Sequence, residues 1–494
     1  METDILVIGG GIVGTAIVRE LSKYKARVLL IEKEVDVAFG SPTRANTAII
    51  HAGYDDKPGT LASRLCPRGN WLWQRIALEL GIPYRRIGSL VVALADEETP
   101  ILERLLARGR KNRVPELAII DSRRLREMEP SLNPDALAAL CAPTAGIICP
   151  YEGAIALSEN ARENGVSILL GTEALDIVVK CGEMKGVTTK KGTIEAEYLI
   201  NAAGLFADEI SSKVGICDFK IVPRKGEYIV YDKELDGLVN HVLFPMPTHV
   251  SKGIVVTPTV DKNLLVGPNA RDVESKMDTE VTSSGMREVL DGACKLVPSL
   301  SKRRGAVITS FAGLRPEPDT GDFIIRPYEE PRGFINVAGV KSPGLTSAPA
   351  IAEMVVDILK KEGLQLDEKD RFNPFRKPIE HPIRDFHPSK AASIISRDSR
   401  YGHVVCRCEQ VTEGEIVDAI GRGATTLDGV KYRTRAGMGR CQGGFCTPHV
   451  TRILSRELGI PVEDVTKKGS GSEILLYPSK ELLVGDLERW KGKK

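Results

Sequence analysis

Ile5, Leu6, Val7 and Ile8 form an unbroken apolar run near the start of the chain, the pattern of a strand covered on both faces in a parallel sheet. Gly9, Gly11 and Gly14 follow with G-x-G-x-x-G spacing, then a stretch with helical periodicity that includes Ile12 and Val13, then a second apolar run, "RVLLIE", ending at Glu32 and Lys33. Strand, tight turn, helix and strand are predicted. The first glycine permits the turn, the second lets backbone approach a pyrophosphate, and the third lets helix and strand pack closely. The helix start offers N–H groups and a positive dipole end to phosphates. Glu32, eighteen residues beyond Gly14, can accept hydrogen bonds from ribose hydroxyls and disfavours a 2′-phosphate.

Two later segments repeat the strand-then-glycine pattern. "EAEYLINAAGLFADEIS" places Ala203 and Gly204 after an apolar run, and "GFINVAGVKSPGLTSAPAIAEMVVDILKK" ends a strand at Gly339 and opens a helix at Gly344, Leu345 and Thr346. Three such elements exceed what a nicotinamide domain requires, so FAD is the expected dinucleotide. A helix start beside a flavin stabilises negative charge on its reduced ring.

With 494 residues the chain exceeds the size at which one core stops growing, so at least two domains are expected. Lys plus Arg total 68 against 66 for Asp plus Glu, without long single-sign blocks, which argues against nucleic acid as a partner. The apolar start carries Glu2 and Asp4 rather than lysine or arginine, unlike a signal peptide. No uncharged run reaches the roughly 18 residues of a membrane span. A cytoplasmic protein is expected, associated with a membrane only through a partner.

"TRANTAIIHAGYDDKPGTLASRLCPRGN", "PRKGEYIV", "NAAGLFAD", "SFAGLRPEPDTGDFII" and "NVAGVKSPGLTSAPAIAEM" resemble the D-amino-acid oxidase superfamily of flavoproteins, in the branch holding glycerol-3-phosphate dehydrogenases and L-2-hydroxyglutarate oxidases. The resemblance implies an α/β fold: a Rossmann-like FAD-binding domain (about 1–84, 146–215 and 311–365) with a discontinuous, mainly antiparallel β substrate domain (about 85–145 and 216–310). It also implies hydride transfer from a carbon bearing OH or NH to the flavin. His51 is then the expected base and Arg315 the holder of a small anionic substrate, with Lys341 adding a second positive charge that suits a phosphate dianion. Thr43, Asn46 and Thr47 belong to the expected FAD site. Lys252 and His249 reach towards the same pocket. Glycerol 3-phosphate is the expected substrate; an L-2-hydroxy acid or an amino or imino acid is the alternative.

Charged, proline-bearing residues 366–400 read as a linker. Beyond it, Cys406 with Cys408 and Cys441 with Cys446 form C-x-C and C-x4-C pairs. Paired cysteines in a reducing compartment more often bind metal than form disulfides. Thr412 and Glu415 predict a capping box and Thr447-Pro448 a second helix start, so each cysteine pair is followed by a helix whose positive end faces a shared anionic centre. Zinc commonly uses two-residue gaps, and remains the rival. The pattern over 401–460 resembles the small helical iron-sulfur domain of bacterioferritin-associated ferredoxin type, which implies a 2Fe-2S cluster held by Cys406, Cys408, Cys441 and Cys446 and an electron-accepting partner subunit. Residues 461–494 read as a tail with too little core of its own.

Overall fold

The protein is described by a computed structural model covering residues 1–40, 42–247, 252–377 and 382–476. Its contacts divide the chain after Lys377 into two units.

The first unit contains two sheets. Strand Glu2–Ile8 lies parallel to Val28–Ile31 on one side and to Gly192–Asn201 on the other, with Ser167–Leu169 and Phe334–Ala338 extending the parallel set. Helices Ile12–Leu21, Pro150–Glu163 and Gly344–Lys361 cover one face of this sheet, and on the other Leu6, Ile8, Leu29 and Ile31 join a separate core with Ile210 and Ile216, which is why the strands read as continuous apolar runs. Ile5, Val7, Ile17, Leu21, Ile335 and Leu359 are among the side chains completing that core. Each contributes about 1.5–3 kcal/mol by leaving water.

The second sheet has nine strands and is mainly antiparallel, built from two separate stretches of sequence. Strands Ser89–Ala93, Ala118–Asp121 and Ala138–Ala142 come from the first stretch; Ile221–Tyr231 through Arg271–Asp272 come from the second. Val307–Pro318 pairs along the whole of Ile221–Tyr231, setting Arg315 opposite Arg224. That strand carries the sheet beyond residue 310, where the family resemblance places the return to the dinucleotide part.

Residues 366–376 do not hang free between units. They strap the first unit: Lys25 N donates to Asp367 O at 2.8 Å, Lys369 N to Lys23 O at 2.8 Å, and Arg376 pairs with Glu159 at 2.6 Å. The rest of the expected linker belongs to the second unit and includes a helix, Pro388–Arg397, anchored by buried Ile394.

The second unit is small and helical. Thr412 and Glu415 form the expected capping box at helix Glu413–Gly421, and Thr447–Leu458 starts where Pro448 predicts. Helix Leu427–Thr434 lies between them. Part of the expected tail belongs to this core: Val465 is buried, and Leu427 N and Asp428 N donate to Thr466 O and Lys467 O. Residues 477–494 lie outside the described part. No helix among the described residues is long and apolar enough to cross a membrane.

Candidate active site

A cavity of about 1050 Å³ runs through the first unit. Gly9, Gly11, Ile12, Val13, Glu32, Lys33, Thr43, Asn46 and Thr47 line it from the N-terminal elements, and Ala203, Gly204, Gly344 and Leu345 from the two later glycine elements. The glycines act by absence of side chain. A Cβ added at Gly9 would lie 2.4 Å from the carbonyl oxygen of Ala202, and one at Gly14 1.9 Å from that of Gly9. Gly9 also holds φ +109°, a conformation open to glycine. Helices Ile12–Leu21 and Gly344–Lys361 both start at the cavity with no hydrogen bond from the side chain of their own N-cap residue and no acid in the first turn, leaving their positive ends for an anion.

Glu32 is buried, and burial raises its carboxyl above the ordinary range. Its oxygens accept from Gly10 N at 2.6 Å and Glu34 N at 2.9 Å, and each keeps a lone pair for a ribose hydroxyl. Thr43 Oγ1 accepts from Ile12 N at 2.9 Å, fixing the helix start. Asn46 spends its amide on its own loop, donating to Pro42 O and Thr43 O and accepting from Ala48 N.

Three residues expected at the cofactor do not line the cavity. Gly14 and Gly339 permit close packing, a Cβ at Gly339 falling 2.7 Å from Pro318. Thr346 is fully buried and grips the catalytic candidate, accepting from His51 N at 2.9 Å.

His51 lines the cavity with its backbone clamped on both sides. Asn70 Nδ2 donates to its carbonyl at 3.0 Å, and Ser342 Oγ lies 3.4 Å from its Nε2. Enclosure, then the charge of Lys252, lowers its pKa to about 3, so the imidazole is neutral and able to take a proton. Arg315 lines the same cavity, its Nη2 donating to Asn269 O at 2.9 Å. Gly226, on the adjacent strand, makes room for it, since a Cβ there would lie 2.6 Å from that nitrogen.

Lys341 also lines the cavity but pairs with Glu317 at 2.8 Å, so it does not add the unopposed second charge expected of it. Lys252 lines the side of the cavity holding His51 and pairs with Asp55 at 3.0 Å. Burial works against its charge, but Asp55 and then Asp56 outweigh it and hold it protonated. His249 lies outside the described residues. Asp55, Arg108, Ser342 and Tyr228 line the cavity without having been singled out. Asp55, Ser342 and Tyr228 stand inside the quoted motifs "HAGYDD", "VKSPG" and "PRKGEYIV", while Arg108 carries no signal short of the fold. The lining holds seven lysines and arginines against three carboxylates. An apolar-walled cavity of this size, with a glycine cradle, two open helix starts and surplus positive charge, fits a dinucleotide bearing a pyrophosphate together with a small anion.

In the second unit the four cysteines associate two by two. Cys406 receives a hydrogen bond from the thiol of Cys446, which favours its ionisation, and backbone N–H groups of Gly437 and Glu409 also reach it. Cys408 interacts with Cys441, to which Phe445 N and Gly443 N donate. Among the described residues no three metal-binding side chains converge as a single ion requires. Two thiol pairs suit a two-iron cluster, with two protein ligands on each iron, better than one tetrahedral zinc. The helix ends differ from expectation: Glu413 and Glu415 already occupy the start of Glu413–Gly421, whereas Thr447–Leu458 has Cys446 itself at its cap.

Residues 4–358 match the family model described as FAD dependent oxidoreductase, and 404–456 match that of the BFD-like [2Fe-2S] binding domain. The chain is 46% identical to glycerol 3-phosphate dehydrogenase of Caloramator mitchellensis over 97% of its own length and 99% of that protein. It is 27% identical to anaerobic glycerol-3-phosphate dehydrogenase subunit A1 of Haloferax volcanii, spanning 99% of this chain and 86% of that one. Among solved structures, dithionite-reduced L-alpha-glycerophosphate oxidase from Mycoplasma pneumoniae with FAD bound superposes with a TM-score of 0.72 at 32% identity, covering 76% of this chain and 99% of that one. The chain therefore belongs to the FAD dependent oxidoreductase family, as a relative of the glycerol 3-phosphate dehydrogenases that binds FAD in its first unit and carries a [2Fe-2S] domain in its second.

Proposed function

We propose that this protein oxidises glycerol 3-phosphate to dihydroxyacetone phosphate and passes the electrons to a partner protein. The observation that carries the reading is the facing of a neutral, backbone-clamped His51 and the Arg315 guanidinium into one positively lined cavity. The similarity to glycerol 3-phosphate dehydrogenase along nearly the whole chain supports the substrate.

Arg315 holds the phosphate through the donors it does not spend on Asn269. His51 Nε2 takes the hydroxyl proton as the carbinol C–H bond gives up a hydride and the carbonyl forms; Ser342 Oγ orients the ring. FAD, when bound, supplies the hydride acceptor, and the 2Fe-2S cluster, when bound, supplies one-electron transfer. Cys406, Cys408, Cys441 and Cys446 would hold the cluster.

The test is anaerobic. The cluster-reconstituted protein is mixed separately with glycerol 3-phosphate, L-2-hydroxyglutarate and L-proline while flavin absorbance and the EPR signal of a reduced cluster are followed. Bleaching by glycerol 3-phosphate with a growing cluster signal is expected. Faster bleaching by either other compound, or bleaching that never reaches the cluster, overturns the substrate or the relay respectively.

A further inference from the structure

The second unit exposes an aromatic ring at the loop that holds its thiols. Phe445, between Cys441 and Cys446, is 79% exposed, the most exposed aromatic side chain among the described residues. Its neighbours on the following helix, Pro448, His449 and Arg452, are exposed, whereas Val450, Ile453 and Leu454 turn into the core. Positions 448, 449 and 452 share one helix face, and Phe445 stands in the thiol loop just before that helix.

The facing C-x-C loop continues this surface. Cys408 and Arg407 are exposed, and a Cβ at Gly439 would lie 2.3 Å from Cys408 Cβ, so the two thiol-bearing loops abut. Along the second thiol loop and the helix that follows it, the charge is of one sign. From Ala436 to Arg452 the sequence contains no Asp or Glu. Glu409, beside Cys408, is 2% exposed and is paired with Arg435 at 2.9 Å. Neither Arg407 nor Arg452 takes part in an ion pair among the described residues. An exposed ring in a thiol loop, with exposed arginines on the facing loop and the following helix, brings apolar surface and charge together, which marks an interaction site better than either alone.

We propose that this face, centred on Phe445 and the rim of Cys408 and Cys441, is the docking site for an electron-accepting protein with an acidic surface and an apolar socket. The inference rests on the relay reading above and deepens it by naming where the partner binds and with what charge. Each substrate molecule releases two electrons and two protons. The protons leave to water, and the acceptor protein takes the electrons singly at this face, where Cys408 is exposed and a partner's cofactor can approach. Opposite charge steers the encounter and Phe445 fixes the docked pose.

Two forms of one probe test it: native cytochrome c, which is basic, and succinylated cytochrome c, which is acidic. Holoprotein reduced anaerobically with glycerol 3-phosphate is mixed with each, and haem reduction is followed at several salt concentrations. At low salt the acidic form is expected to react about tenfold faster or more, with the advantage shrinking as salt rises. Arg452→Glu and Arg407→Glu remove that advantage, and Phe445→Ala slows transfer at all salt concentrations, while flavin bleaching and the cluster EPR signal develop at the unaltered rate. Equal or faster reduction of native cytochrome c overturns the proposal. So does a variant that delays the cluster signal, because the face would then serve electron entry from the chain itself. Should no substrate bleach the flavin, the relay reading fails separately, and the same comparison is run on dithionite-reduced protein freed of excess reductant.

Discussion

The backbone N–H of His51 donates to Thr346 Oγ1 at 2.9 Å, tying together residues 295 positions apart. Thr346 in turn donates to Ile49 O at 3.3 Å, so one hydroxyl fixes both the short strand before the histidine and the histidine itself. Thr346→Val keeps the shape and removes the acceptor. The expected result is a fall in kcat of about tenfold to a hundredfold from misplacement of the base, with KM and flavin content little changed. Stopped-flow flavin reduction over a substrate series separates the two constants. A change confined to KM would place Thr346 in substrate binding instead.

The low pKa of His51 gives a pH signature. The folded value is about 3 against 6.5 for the free side chain, lowered first by enclosure and then by Lys252. As pH falls below 6.5 the unfolded chain binds this proton and the folded one does not. The contribution to stability is thus complete above that value and is lost progressively between pH 6.5 and about 3. The acid limb of kcat/KM is expected well below 6.5, and His51→Gln is expected to flatten the decline in thermal stability over this range. An acid limb at the ordinary histidine value would show that the base is solvated.

Gly226 tests the anion clamp without touching it. Its missing Cβ would lie 2.6 Å from Arg315 Nη2, so Gly226→Ala must displace the guanidinium. The expected outcome is a rise in KM of about tenfold, the equivalent of about 1.4 kcal/mol of lost binding, with FAD retained. Steady-state kinetics against flavin content checks it. An unchanged KM would remove Arg315 from the substrate site.

Glu409 holds the second unit together where the thiol loops meet. Its carboxylate pairs with Arg435 at 2.9 Å and lies 3.9 Å from Arg384, whose guanidinium also donates to its backbone carbonyl. Glu409→Ala removes the buried carboxylate that Arg435 pairs with and one of the two acids beside Arg384, Asp385 being the other, a loss of about 3–5 kcal/mol for a buried pair. Low iron content and early melting of the second unit are expected, with FAD binding preserved; calorimetry and iron analysis report both. Normal iron loading would show that the arginines find other partners.

His51→Ala removes the proposed base. Hydride transfer is expected to slow by about a hundredfold to ten-thousandfold, the usual contribution of a positioned base, while FAD absorbance is unaltered. Full-speed flavin reduction in this variant would assign the proton transfer to another group.

Local rules wrote much of this protein openly. The G-x-G-x-x-G turn, the acid at Glu32, the capping box at Thr412 and the cysteine spacing are readable because a turn, a cap or a ligand pair lies within a few residues of itself. The strap at 366–376 was hidden because its bonds run to Lys23, Lys25, Glu79 and Glu159, and nothing local in a charged, proline-bearing stretch announces distant partners.

Residue types in motifs likewise marked His51 and Arg315, but their working states depended on neighbours brought by the fold. Lys341 and Lys252 look alike in sequence. Only the packing of two sheets gives one to Glu317 and the other to Asp55 beside His51. Thr346, Asn70 and Gly226 act through contacts across tens to hundreds of positions, which no periodicity encodes. The sequence by itself determined which chemical groups were available and which turns and helix starts could receive phosphates and iron. The tertiary structure decided which charges remained for substrate, because electrostatics and desolvation depend on distance and enclosure rather than order along the chain.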